Sequence, residues 1–115
     1  MNNTITKETQ KESYLTILES LGKRQQLIIE YLNRHNSATT ASELAWALFK
    51  EGKVPTAERN AVHPRLNELV KMNVLEVTGK KLDSSTGRKV AVYKLLPNWM
   101  ENAEKVFGEI SWTLK

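Results

Sequence analysis

The 115-residue chain contains no cysteine. That absence excludes a disulfide framework, a thiolate zinc cage and a cysteine nucleophile together. Histidine is nearly as scarce: His35 and His63 are the only two, and neither has ligand-type neighbours at metal-binding spacing. The five glycines build no phosphate-cradling loop, and no Walker-type motif or nucleophile elbow is present. Glu101, Glu104 and Asp83 read as ordinary surface acids, so no catalytic, cofactor or metal site is expected and the chain does not read as an enzyme. Apolar runs are short everywhere, far from the roughly 20 residues of a bilayer span. The start, Met1 to Lys7, lacks the apolar centre of a secretory signal, so a cytoplasmic protein with no membrane partner is expected.

What is present is an ordinary globular composition, with 40% hydrophobic and 26% charged residues. The length allows one domain. The net charge of +4 is modest, but it is unevenly placed. Between Lys50 and Lys94 lie ten basic residues (Lys50, Lys53, Arg59, Arg65, Lys71, Lys80, Lys81, Arg88, Lys89 and Lys94) against five acids. The rest of the chain holds seven basic and eight acidic residues. A local excess of that kind is an electrostatic footprint for a polyanion, although a solvated basic face without a partner has the same composition.

Residues 1–12 are polar and are expected to form a flexible tail. From Ser13 the apolar residues Tyr14, Leu15, Leu18 and Leu21 recur at helical spacing, and Gly22 interrupts them. A second stripe of Leu27, Ile28, Tyr31 and Leu32 ends near His35-Asn36. Thr40-Ala41-Ser42-Glu43 is a capping box that starts a third helix, with Leu44, Ala45, Leu48 and Phe49 on its buried face. Gly52 and Pro55 bracket a basic turn. Thr56 can cap a fourth helix running to about Met72, whose buried stripe is Val62, Leu66, Leu69 and Val70.

Past Asn73 the period shortens to two. Leu75 and Val77 alternate with Glu76 and Thr78, and Val90 and Val92 alternate with Ala91, Tyr93 and Leu95. Asp83-Ser84-Ser85-Thr86-Gly87 supplies the turn of a β-hairpin between them. Pro97 opens a last, amphipathic helix. Two strands alone are marginal in water, so the hairpin must lie against the helices. The expected fold is therefore α+β, mostly α: a winged helix-turn-helix over residues 13–96 with N- and C-terminal flanking helices, the last over residues 97–115.

In this architecture the helix after the turn enters the major groove. With its apolar stripe inward, the outer face presents Arg59, Asn60, His63, Asn67 and Lys71, and Arg and Asn are the side chains that read guanine and adenine edges bidentately. Pro64 inside this helix would remove a hydrogen bond and cost about 3 kcal/mol. Either the helix begins late, near Asn60, or it bends at Pro64. In the hairpin, Lys80 and Lys81 enter the loop and Arg88 and Lys89 leave it, which suits a wing straddling phosphates. Lysine on an edge strand also blocks strand-to-strand aggregation, which accounts for one or two such charges.

The string Asn60-Ala61-Val62-His63-Pro64-Arg65-Leu66-Asn67-Glu68-Leu69, followed by Gly79-Lys80-Lys81 and Thr86-Gly87-Arg88-Lys89-Val90-Ala91-Val92-Tyr93, resembles small phage and bacterial winged-helix proteins of the broad MarR-like grouping. The resemblance spans roughly Ser20 to Leu95. It implies DNA binding by Asn60, His63 and Arg65 on the recognition helix and by Lys81 and Arg88 in the wing. The chain departs from that pattern in the longer connection from Phe49 to Arg59, which includes Lys53-Val54-Pro55.

The last helix carries Trp99, Met100, Val106, Phe107 and Ile110 on a wide apolar stripe. These residues are expected to form a partner surface, most simply a homodimer through terminal helices. The alternative is that the helix folds back on the one containing Tyr14 and Leu18. Trp46 lies about 200° around its helix from Leu44, which leaves it either at an interface or beneath a flanking helix. The expected function is sequence-specific binding of double-stranded DNA by a dimeric transcriptional regulator, using a recognition helix over residues 57–72 and a basic wing over residues 79–89. The alternative is a phage or mobile-element interaction module that docks on a host replication or transcription protein through Trp46 and the terminal helix.

Overall fold

The computed structural model describes residues 15–84 and 86–114, and along the last helix the side chains as far as Val106. The expected tail over residues 1–12 and Tyr14 lie outside the described residues. Residues 15–20 form the described part of helix α1, which buries Ile17, Leu18 and the following Leu21, while Leu15 is turned outward. At Gly22 the chain restarts as α2, Lys23–His35, with the Gly22 amide donating to Gln25 Oε1 at 3.1 Å. Ile28, Ile29 and Leu32 are buried. Asn36 ends α2 in the left-handed region at φ 49°, a conformation that asparagine tolerates, and its amide donates to the Leu32 carbonyl at 2.8 Å.

A short strand β1, Thr39–Thr40, leads directly into α3, Ala41–Lys50. The capping box is present: Thr40 Oγ1 accepts from the Glu43 amide at 3.2 Å, and Glu43 Oε1 accepts from the Thr40 amide at 3.0 Å. Leu44, Ala45 and Leu48 are buried, as their spacing implies. Phe49, expected on that face, is instead 42% exposed and lies 6.1 Å, ring centre to ring centre, from Trp46, which is 52% exposed. Residue 49 sits on the flank of the arc that Leu44, Ala45 and Leu48 bury, and Val54 of the following loop is buried in the same core.

No helix starts at Thr56. A 3-10 turn spans Arg59–Ala61, the backbone leaves helical geometry at Val62 (φ −127°, ψ −23°), and α4 runs from His63–Lys71. Pro64 therefore stands in the first turn of α4, where its missing N–H would have had no intrahelical partner. This is the late start, not the bend. Val62, Leu66 and Leu69 are fully buried, and Val70 packs half-buried against them.

Strands β2 (Leu75–Asp83) and β3 (Arg88–Leu95) pair antiparallel, and β1 adds a third strand, giving the order β1-β3-β2. Thr39 opposes Tyr93 and Thr40 opposes Val92. The core face of β3 is Ala91, Tyr93 and Leu95. A register shift between Val77 and Gly79 marks where the hairpin leaves the core, and Val77 is half-exposed although Leu75 on the same face is buried. At the tip, Gly87 adopts φ +72° and its amide donates to the Asp83 carbonyl at 2.7 Å.

Helix α5, Trp99–Leu114, corrects a second expectation. Trp99 is only 5% exposed and Ala103 is fully buried, both within the common core, and Met100 packs half-buried against it. The start of α5 is tied down by Asn102 Nδ2, which donates to the Asn73 carbonyl at 2.8 Å. Trp99 and Met100 thus complete the core of this chain and are not a free partner surface. Val106 is half-buried, and the side chains of Phe107 and Ile110 lie outside the described residues. The architecture is a winged helix: three helices and a three-stranded antiparallel sheet, flanked by α1 and α5.

Candidate nucleic-acid interface

Two elements place the basic side chains. The first is α4 with the 3-10 turn before it. Because Leu66 and Leu69 anchor α4 to the core, Asn67 and Lys71, four residues apart, share its outer face. Asn60 is exposed on the 3-10 turn, which presents it apart from the helix and not as part of it. The second element is the wing, where Lys80 and Lys81 on β2 oppose Ala91 and Val90 on β3, and Arg88 opposes Asp83 at the tip.

Between the two lies an open hollow of about 820 Å3. Arg59 and His63 line one side, Arg88 and Lys89 the other, with Ser42 and Ala41 at the start of α3 and Tyr93 also in its wall. Arg59, Arg88 and Lys89 line it against two acids, Glu58 and Asp83, among the described residues. Arg59 Nη2 lies 2.8 Å from His63 Nε2. An arginine only donates, so Nε2 accepts and the imidazole is neutral in this arrangement. His63 is held below its usual value of 6.5 by partial burial and then by the Arg59 charge.

The other sequence candidates fall into three environments. Asn60, Asn67, Lys71, Lys80, Arg88 and Lys89 are exposed, and their side chains make no hydrogen bond or ion pair among the described residues. Lys81 reaches back to α3, its Nζ 2.7 Å from Glu43 Oε2, an exposed pair that ties the wing to the helix-turn-helix and holds the Glu43 carboxyl below its usual value. Arg65 lies on the opposite flank of α4 from the hollow. It pairs with Glu68 at 2.8 Å, and Gln25 Nε2 donates to the same carboxylate at 3.0 Å. Arg59, His63, Arg88 and Lys89 are thus brought together, while Arg65 and Lys81 are not part of that group.

Sequence reasoning missed the contribution of α2. Arg24 Nη1 donates to the Ala61 carbonyl and so holds the 3-10 turn that carries Arg59 and Asn60. A smaller hollow of about 330 Å3, lined by Lys23, Arg24, Gln25, Arg65 and Glu68, lies there. Lys23 and Arg24 belong to the part of the chain with no net positive charge, and nothing local marks them as neighbours of residues some forty positions away. Among the described residues no group of three or more His, Asp or Glu side chains is placed to hold a metal ion, and no helix is long and apolar enough to cross a membrane.

No protein-family model matches the chain. No curated protein matches it either. Among solved structures, a PadR-like transcriptional regulator from Bacillus cereus is similar at 20% sequence identity and a TM-score of 0.48, over 79% of this chain and 85% of that chain.

Proposed function

We propose that the protein binds double-stranded DNA in a sequence-specific manner and acts as a transcriptional regulator, with α4 and its preceding turn in the major groove and the wing on the flanking backbone. The observation that carries this reading is the hollow that gathers Arg59, His63, Arg88 and Lys89, set beside an α4 face on which Asn67 and Lys71 are exposed and make no hydrogen bond or ion pair among the described residues. A major groove about 12 Å wide admits one helix, and cations beside it neutralise phosphates. Arg59, Asn60, His63 and Asn67 are the readout candidates. Arg65, Lys71, Lys80, Lys81, Arg88 and Lys89 are the backbone contacts. Lys81 and Arg65 pair with solvent-accessible carboxylates, and water screens surface ion pairs of that kind, so exchange for phosphate costs little. We further propose a dimer through the distal half of α5, which carries Phe107 and Ile110.

Selection from a randomised duplex library tests this reading. Enrichment of one motif is expected, palindromic if the protein binds as a twofold dimer. Asn60→Ala should relax one position of that motif by about 1–3 kcal/mol. Recovery of unselected sequence, or of no duplex at all, would overturn it.

A second reading rests on the exposed pair of Trp46 and Phe49, with Lys50 Nζ 5.5 Å from the Trp46 ring centre. Large exposed aromatics are enriched at protein interfaces, and this pair would suit docking on a host protein. Capture of one stoichiometric partner, lost in Trp46→Ala and resistant to nuclease, would favour it.

A further inference from the structure

Helix α4 has two flanks. On one side is the hollow with Arg59, His63, Arg88 and Lys89. On the other is the smaller hollow where α2 begins, with Lys23, Arg24 and Arg65. An α-helix with its side chains is roughly 10–12 Å across, and a major groove is bounded by two phosphate chains about 12 Å apart. A helix seated in that groove therefore brings both of its flanks to phosphates, one strand on each side.

We propose that Lys23, Arg24 and Arg65 form a second phosphate-binding surface, which holds the DNA strand opposite the one held by the wing. The inference rests on the reading of α4 as the groove-entering helix. Lys23 is exposed and takes part in no ion pair among the described residues. Arg24 spends one donor on the Ala61 carbonyl, and a guanidinium has five. Arg65 is bound to Glu68 through Nη1 alone, at 3.0 and 2.8 Å to its two oxygens, which leaves its remaining donors for an anion. Among the described residues Glu68 is the one carboxylate lining this hollow, and Arg65 and Gln25 already engage it, so three cations face one acid. A phosphate bound to Arg24 would also bear on the turn that carries Arg59 and Asn60, because the same guanidinium holds the Ala61 carbonyl. Backbone anchorage here and base reading there would then share one side chain.

The test is the salt dependence of binding to a mixed-sequence duplex, for the full-length wild type, Lys23→Gln and Lys89→Gln. Each phosphate contact contributes about 0.9 to the slope of log affinity against log salt. Both variants should lower the slope by about that amount and weaken binding to all sequences alike. Lys23 is exposed in the first turn of α2, and an unchanged melting temperature would show that the fold is intact. If the wild type and Lys89→Gln behave as expected but Lys23→Gln keeps the full slope and affinity, the second surface is wrong and the DNA-binding reading stands. If the wild type shows no salt-dependent duplex binding, the reading of α4 fails and this inference fails with it.

Discussion

The Arg59–His63 contact puts a cation and a titratable ring in the same hydrogen bond. It holds only while Nε2 keeps its lone pair, so proton uptake by His63 breaks it and sets two positive charges side by side. Partial burial, and then Arg59, depress the His63 pKa below its usual 6.5. The fold therefore prefers the neutral ring. Above pH 6.5 the ring is neutral in both folded and unfolded chains, and the contribution is fully present. As pH falls through 6.5 the unfolded chain takes the proton first, and this part of the stability is lost down to the folded-state pKa. An NMR titration of the two histidines should place the His63 midpoint below 6.5. Arg59→Ala should move it up only part of the way, since burial, the larger cause, remains. A His63 midpoint at or above 6.5 in the wild type, or one unmoved by Arg59→Ala, would show that the pair does not form. In DNA the phosphates would draw the same ring toward its charged form, so tighter duplex binding on acidification toward pH 6 would accompany the shift.

Among the elements, α4 is the one whose sequence and structure differ most instructively. Its apolar spacing, Val62, Leu66 and Leu69, identified the buried face, because that pattern reports a local period that the core then uses. Its start was not legible, because Thr56 is a plausible cap and only the backbone at Val62 shows where helical geometry breaks. Pro64 carried the correct hint, since proline is tolerated in a first turn and costly in an interior. Pro64→Ala follows from this. It should change stability by less than about 1 kcal/mol in urea denaturation, the usual scale of a proline's effect on the unfolded chain. A gain near 3 kcal/mol would mean that Pro64 interrupts a longer helix. Strand β1 was missed for a different reason. Two threonines carry too little pattern to signal a strand, and Thr39 and Thr40 become one only by pairing with Tyr93 and Val92 more than fifty residues away. The candidate site shows the same division. The wing cations and the outer face of α4 are visible as charge and spacing, whereas the hollow that gathers Arg59, His63, Arg88 and Lys89, and the approach of Lys23 and Arg24, exist only once tertiary packing is known.

At the scale of the whole molecule, the question is how far α5 belongs to the fold and how far it is available to a partner. Its apolar stripe looks continuous from Trp99 to Ile110, and amphipathicity alone does not say what covers each part. The structure accounts for its start: Trp99 and Ala103 are inside the common core with Ile28, Leu44 and Leu66, and Asn102 fastens the first turns to the Asn73 carbonyl. Truncating a buried tryptophan typically costs about 3–5 kcal/mol, a large share of the roughly 5–15 kcal/mol by which domains are stable. Trp99→Ala should therefore lower the urea midpoint strongly, and by the same amount at low and high protein concentration. Were Trp99 instead part of a dimer seam, the loss would depend on concentration, because a dimer interface stabilises by mass action. Replacing Phe107 tests the distal half by the same measurement with the opposite expectation, a loss that changes with concentration and a reduced sedimentation coefficient. A concentration-independent loss in Trp99→Ala together with a concentration-dependent one in Phe107→Ala would assign the two halves of a single helix to two different interfaces, one within the chain and one between copies of it.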